Sequence, residues 1–100
     1  MTKQKKTPAT NPAEETLLEF PCRFAIKAMG RAEADFEALV VQIVRRHAEL
    51  WSGDDLPVTT NPSRTGKYSG VTVVIVATSR KQLDAIYQDL TDCPEVLMAL

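Results

Sequence analysis

One histidine, two cysteines and scattered carboxylates are the residues of this chain that could do chemistry. His47 follows Arg45 and Arg46. A general base needs a carboxylate to orient it or a nucleophile to activate, and neither stands at a readable spacing from His47. Its place at the end of an apolar helical stripe suits a helix-end cation or a half-buried cap instead. Cys22 and Cys93 form no CxxC pair and no metal-ligand spacing, so they read as small apolar fillers. Asp54-Asp55 and Glu14-Glu15 are adjacent pairs in loop-like segments, with nothing rigid to orient them on a metal. They read as solvated surface. No serine lies in a Gly-x-Ser-x-Gly elbow. The residues therefore predict a protein that is not an enzyme, with no cofactor and no metal.

Composition is that of one soluble globular domain: 100 residues, 44% apolar and 25% charged. The formal charge of -1 leaves no electrostatic footprint for nucleic acid or membrane. Charge is unevenly spread, however. Residues 1–16 hold three lysines (Lys3, Lys5, Lys6) against two glutamates, leaving nine Lys/Arg against eleven Asp/Glu in 17–100. Pro8 and Pro12 oppose helix in that first stretch, and no apolar run follows its basic start as a signal peptide would require. The reading is a disordered tail over 1–16 and a domain over 17–100. The longest apolar run, Val73 to Ala77, is strand-length, far short of the ~20 residues of a membrane span. A cytoplasmic protein is expected.

The periodicities then place the elements. Phe20 to Gly30 alternates, with Phe20, Cys22, Phe24, Ile26 and Ala28 on one face and Arg23, Ala25, Lys27 and Met29 on the other. Gly30 is expected to end the strand and start a turn. From Glu33 the period becomes helical: Phe36, Leu39, Val40, Ile43, Val44 and His47 form one stripe. Val58 to Pro62 reads as a short strand whose Pro and Asn suit a sheet edge. Ser63 to Lys67 is the hairpin connection, and Tyr68 to Thr78 is the strongest strand. Ser79 with Gln82 three residues on makes a capping box. The following helix buries Leu83, Ile86, Tyr87 and Leu90, Pro94 stops it, and Glu95 to Leu100 closes the sheet.

The order βαββαβ is that of the ferredoxin-like α+β sandwich: a four-stranded antiparallel sheet with two helices on one face. In such a sheet the first and last strands are antiparallel neighbours. Cys22 and Cys93 then start at opposite ends, too far apart for a disulfide.

A set of residues also resembles a known family. Leu17, Leu18, Glu19, Phe20 and Pro21 precede the first strand, Met29 and Gly30 close it, and Arg46, His47 and Ala48 end the first helix. Pro62 and Ser63, Gly66 and Tyr68, Ala77 and Thr78, and a terminal Leu100 complete the pattern. Together these resemble the small bacterial YbeD-type proteins, whose biochemical function is not established. The resemblance covers residues 17–100, with an insertion around Trp51 to Asp55. It implies a fold similar to the ACT regulatory domains of amino-acid metabolism and supplies no catalytic residues. In ACT domains small effectors bind near the turn after the first strand, here Met29, Gly30, Arg31 and Ala32. Of the usual Asp and Pro-Gly of that loop, only Gly30 is matched.

Two non-enzymatic readings follow. The first is a regulatory ACT-like module acting in trans, which binds a small-molecule effector at Met29 to Ala32. The second is a protein–protein adaptor without ligand. It would use the open sheet face through Ala25, Lys27, Val74 and Val76, and the hairpin through Arg64, Lys67 and Tyr68, toward a second copy or another protein. An apolar open face suits a symmetric homodimer. Replacing Val74 with Glu is then expected to leave the fold intact and dissociate the pair. RNA-recognition motifs share the element order but stack bases on aromatics from the two central strands. The outward Ala25, Lys27, Met29, Thr72, Val74 and Val76 offer no such platform, and Tyr68 stands at the edge. RNA binding would need Arg23, Lys27, Arg64 and Lys67 to converge, so the sequence argues against it.

Overall fold

Two ten-residue strands, Cys22–Arg31 (β1), which alternates strictly, and Tyr68–Ala77 (β3), which is buried without a break over Val73 to Ile75, form the centre of the molecule. They pair antiparallel along their whole length, from Cys22 opposite Ala77 to Arg31 opposite Tyr68. The computed structural model describes residues 18–33, 35–53 and 56–100. The expectations for the 1–16 tail and for the pairs Glu14-Glu15 and Asp54-Asp55 lie outside the described residues.

Around the central pair stand α1 (Phe36–Arg45), β2 (Val58–Pro62), α2 (Arg80–Asp92) and β4 (Val96–Ala99). The sheet order is β2-β3-β1-β4, all antiparallel, with both helices on one face. This is the ferredoxin-like βαββαβ architecture, with the proline-bearing β2 at an edge as read. One face of each element supplies the core. Ile26, Ala28, Val71, Val73, Ile75 and Ala77 from the sheet meet Phe36, Val40, Ile43 and Val44 of α1 and Leu83, Ile86 and Leu90 of α2. Each large aliphatic buried there contributes about 1.5–3 kcal/mol.

The helix ends follow their side chains. Ser79 accepts a hydrogen bond from the Gln82 N–H at 3.0 Å, the expected cap of α2. Gln82 Oε1 accepts from the Thr78 N–H at 2.8 Å, one residue before the usual partner, and its amide donates to the His47 carbonyl at 3.0 Å. Cys93, extended before Pro94, ends α2. α1 starts at Phe36, three residues later than its charge pattern suggests, and Asp35 at its N-cap makes no side-chain cap.

Three local departures matter for function. First, Gly30 is not a turn residue. β1 runs through it to Arg31, and Gly30 pairs with Ser69 on one side and Val96 on the other. Its glycine is demanded by space, since a Cβ there would collide with the Phe36 ring and the Glu95 carbonyl oxygen. Second, β4 carries a bulge. Met98 faces Met29 and Val96 faces Gly30, so Leu97 is the unpaired extra residue. Leu100 prolongs the strand by exchanging both backbone hydrogen bonds with Lys27, at 3.1 and 2.7 Å. Third, the edge beyond β2 is interrupted. Val74 receives the Trp51 N–H on its carbonyl (2.8 Å) and donates its own N–H to Pro57 (2.7 Å). Trp51 and Pro57 thus meet the same residue of β3 from two separate segments, and Leu50 bridges to Ile75 beside Trp51.

Candidate functional site

Two regions have the character of a site: a cleft where β1, α1 and β4 converge, and the outer face of the sheet. The cleft of about 430 Å³ is framed by Arg31 together with the carboxylates of Glu33, Asp35 and Glu95. Phe36, Leu39 and Leu97 form its apolar lining. The fold creates it simply. β1 delivers Arg31 past the last core residue, the Leu97 bulge swings that side chain to the rim, and the short α1 leaves Glu33 and Asp35 before its first turn. The Phe36 N–H is already bonded to the Glu33 carbonyl at 3.1 Å, so the polarity of the cleft comes from side chains rather than from a free helix end.

Of the four residues Met29 to Ala32 read as an effector turn, only Arg31 lines this cleft. Met29 belongs to the outer face, Gly30 is buried against Phe36, and the Ala32 N–H is bonded to the Lys67 carbonyl at 2.9 Å. Glu95 also accepts a hydrogen bond from the Cys93 thiol at 3.2 Å. Burial pushes the Cys93 thiol pKa up, and the hydrogen bond and negative charge of the Glu95 side chain add to that against the opposing pull of nearby backbone groups. Both thiols are free.

On the outer face β1 presents Arg23, Ala25, Lys27, Met29 and Arg31 in a row, all exposed. By register Met29 lies between Gly70 and Met98, Lys27 between Thr72 and Leu100, and Arg31 beside Tyr68. Gly70 leaves room for the Met29 chain, whose Cγ would stand 3.9 Å from a Cβ there. Met29 and Tyr68 are 39% exposed, Met98 50% and Leu100 65%, a run of apolar surface across three strands.

The sequence reading of this face needs correction at two positions. Val74 is only 4% exposed and Val76 half-buried, at the end of the sheet where the interrupted edge strand attaches. Trp51, opposite Val74 by register, folds its indole against Gly53 beside them. Val74→Glu would therefore bury a charge rather than decorate a surface. Ala25, Lys27, Arg64, Lys67 and Tyr68 are exposed as expected. Met98 and Leu100 also belong to the face, and an unbroken period of two from the core-packed Val96 hides them, because the bulge at Leu97 shifts both to the outer side.

One further pairing was out of reach of the sequence. His47 Nε2 lies 2.6 Å from Asp89 Oδ2, across 42 residues, and Arg46 reaches the same oxygen at 4.0 Å. The carboxylate thought missing beside His47 is supplied by α2. No nucleophile is hydrogen-bonded to the pair among the described residues, so it clamps the end of α1 to α2.

An open antiparallel sheet backed by two helices, with no metal-binding cluster of His, Cys, Asp or Glu among the described residues, defines a small ferredoxin-like α+β protein. Among those residues no helix is long and apolar enough to cross a membrane. Residues 15–100 match the family described as "Protein of unknown function (DUF493)", and the chain belongs to that family. The UPF0250 protein RSc0326 of Ralstonia nicotianae is 44% identical over 100 residues, covering all of both chains. The UPF0250 protein NE1487 of Nitrosomonas europaea is 45% identical over 87 residues, 87% of this chain and 98% of its own. The likeness to YbeD-type proteins is thereby borne out. Among solved structures, protein HP0495 from H. pylori superposes with a TM-score of 0.63 at 14% identity, over 94% of this chain and 98% of its own. That likeness shows the fold. The family is one of uncharacterised small bacterial proteins, and none of these names carries an enzymatic activity.

Proposed function

We propose that this protein is a non-catalytic regulatory module acting in trans, and that it binds a small zwitterionic metabolite of amino-acid type in the cleft at the end of β1. The observation that carries this reading is the composition of the cleft. A guanidinium, Arg31, stands with three carboxylates, Glu33, Asp35 and Glu95, around the apolar side chains of Phe36, Leu39 and Leu97. A ligand carboxylate suits Arg31 in bidentate fashion, a ligand ammonium suits the acids, and an aliphatic or aromatic side chain suits the lining. Asp35 supports this because its carboxylate is not spent on capping α1. The place is also the one that the ACT resemblance assigns to effectors, although through Arg31 alone of the four residues read there.

Calorimetric titration and thermal shift against the common amino acids, amines and organic acids test the reading. A ligand at a hundred times its dissociation constant stabilises by about 2.7 kcal/mol, several degrees of melting temperature for a domain this size. Arg31→Ala should remove the response to carboxylate-bearing ligands. A panel flat for every compound, or a shift that survives both Arg31→Ala and Glu95→Gln, would overturn it. The adaptor reading draws on a different observation, the apolar outer face.

A further inference from the structure

We infer that the outer face of the sheet docks an acidic amphipathic polypeptide segment of another protein, held by the apolar run Met29, Met98 and Leu100 beside the cationic row of β1. The inference is independent of the cleft and rests on two properties of the same surface.

The first is its apolar content. An antiparallel sheet with helices on one side ordinarily turns a polar face to water. Here the β1–β4 half of that face carries Met29, Met98 and Leu100 side by side, with Tyr68 across β3. Methionine pairs are adaptable, and the 3.9 Å approach at Gly70 leaves the Met29 chain room to repack against an incoming side chain.

The second property is charge. Arg23, Lys27 and Arg31 recur every fourth residue along β1, so their Cα atoms are spaced about 13 Å apart on one face. No position of this face in the four strands is a carboxylate; just beyond them Glu95 stands opposite Arg31 in the continued β1–β4 register, and Glu49 lies beyond Val76 at the Arg23 corner, so the charge furthest from any acid is Lys27. Lys27, in the middle of the row, has no ion-pair partner among the described residues. Two copies packed face to face would bring a second Lys27, and no carboxylate of this face, toward the middle of the row, so self-pairing is the poorer fit. A segment with an apolar stripe and flanking Asp or Glu satisfies both properties at once. RNA suits the charges but not the surface, because Lys27 and Met29 face Thr72 and Gly70 on β3, and Tyr68 stands beside Arg31 at the end of the row, one aromatic rather than a platform of several on which bases could stack.

The test uses the full-length chain and three probes: a Leu/Glu amphipathic peptide of about 18 residues, the same peptide with Lys for every Glu, and a mixed-sequence single-stranded RNA. Binding is followed by fluorescence anisotropy of the labelled probe and by amide chemical shifts of the protein. The acidic peptide should bind and shift resonances of β1, β4 and the outer positions of β3. Its affinity should fall as salt rises from about 0.05 to about 0.5 M and should drop about tenfold in Lys27→Glu. Met29→Ser with Met98→Ser should weaken it at every salt concentration. Lys27 is exposed and outside the cleft, so these variants leave the metabolite reading intact and the two can fail separately. Equal or tighter binding of the Lys peptide or the RNA would overturn the inference. So would shifts confined to the helices, no binding of the acidic peptide, or a dimer in solution that Met98→Ser dissociates.

Discussion

Gly30→Ala is the sharpest test of how the end of β1 is built. The added Cβ would overlap two groups at once. One is the Phe36 ring, whose Cζ would stand 2.6 Å away in a side chain only 3% exposed. The other is the Glu95 carbonyl oxygen, which is backbone and next to the residue paired with Gly30. The ring could yield only by pushing α1 away from the sheet, and the carbonyl only by moving β4. Overpacking of this kind costs about 1–3 kcal/mol, and with a backbone partner the upper end is expected. Such a loss lowers the melting temperature by about 12–24 °C for a domain of this size. With m near 1 kcal/mol/M, it lowers the urea midpoint by about 3 M. Urea unfolding followed by the single Trp51 measures it. Phe36→Leu in the Gly30→Ala background should recover part of the loss, because only one of the two overlaps is removed. The order of substitutions is equally diagnostic. At Gly30, where space is the constraint, Asn should be worse than Ala. At Gly66, whose φ of +78° lies in open surroundings, Asn should be better than Ala. A change at Gly30→Ala below about 0.5 kcal/mol, or Asn tolerated there, would refute the packing argument.

Val74→Glu should destabilise the domain by several kcal/mol, because an unpaired carboxylate would replace a side chain 4% exposed; near-native urea stability would show that the outer face is open at that end. Ser79→Ala should cost about 1 kcal/mol in the same assay through loss of the 3.0 Å bond from the Gln82 N–H, whereas Ser79→Asn should cost little. The raised pKa of Cys93 leaves less thiolate near pH 8, so iodoacetamide should modify it more slowly than a free cysteine. Glu95→Gln removes the charge that disfavours the thiolate and should speed the reaction at Cys93, while leaving Cys22 unchanged, by mass spectrometry of the labelled peptides.

The architecture was legible because each element carries its own period. Ile26 and Ala28, Val71 and Val73, Leu83 and Ile86 fall on buried faces as alternation and helical spacing require. What could not be read depends on contacts far apart in the chain. The Asp89 partner of His47 lies beyond two intervening strands, and neither residue has a local pattern that announces it. Gly30 looks like a turn glycine because glycine after an alternating run usually is one. Only its pairing with Ser69 and Val96 shows that the strand continues, and only the crossing of Phe36 and Glu95 over it shows why the position is a glycine. The same limit applies to Val74, whose backbone is bonded to Trp51 and Pro57 far back in the chain, and the effector turn lost three of its four residues to packing or to the other face.

The bulge at Leu97 ties the two candidate surfaces to each other. Because β4 slips by one residue between Met29 and Gly30, successive side chains serve different regions: Glu95 and Leu97 line the cleft, while Met98 and Leu100 lie on the outer face. On β1 the junction is Arg31, which lines the cleft and stands beside Tyr68 at the head of the cationic row. β4 has only four residues, at the edge of the sheet, and makes most of its contacts with β1. A ligand that fixes Glu95 and Leu97 would therefore also fix the register of Met98 and Leu100, and would lower the ordering cost of a partner that needs them in place. The coupling must be reciprocal: whatever factor the zwitterion applies to peptide affinity, the peptide applies to zwitterion affinity. Titrating each in the presence and absence of the other measures that factor. A value of one from both directions would mean that the bulge insulates the cleft from the face rather than linking them.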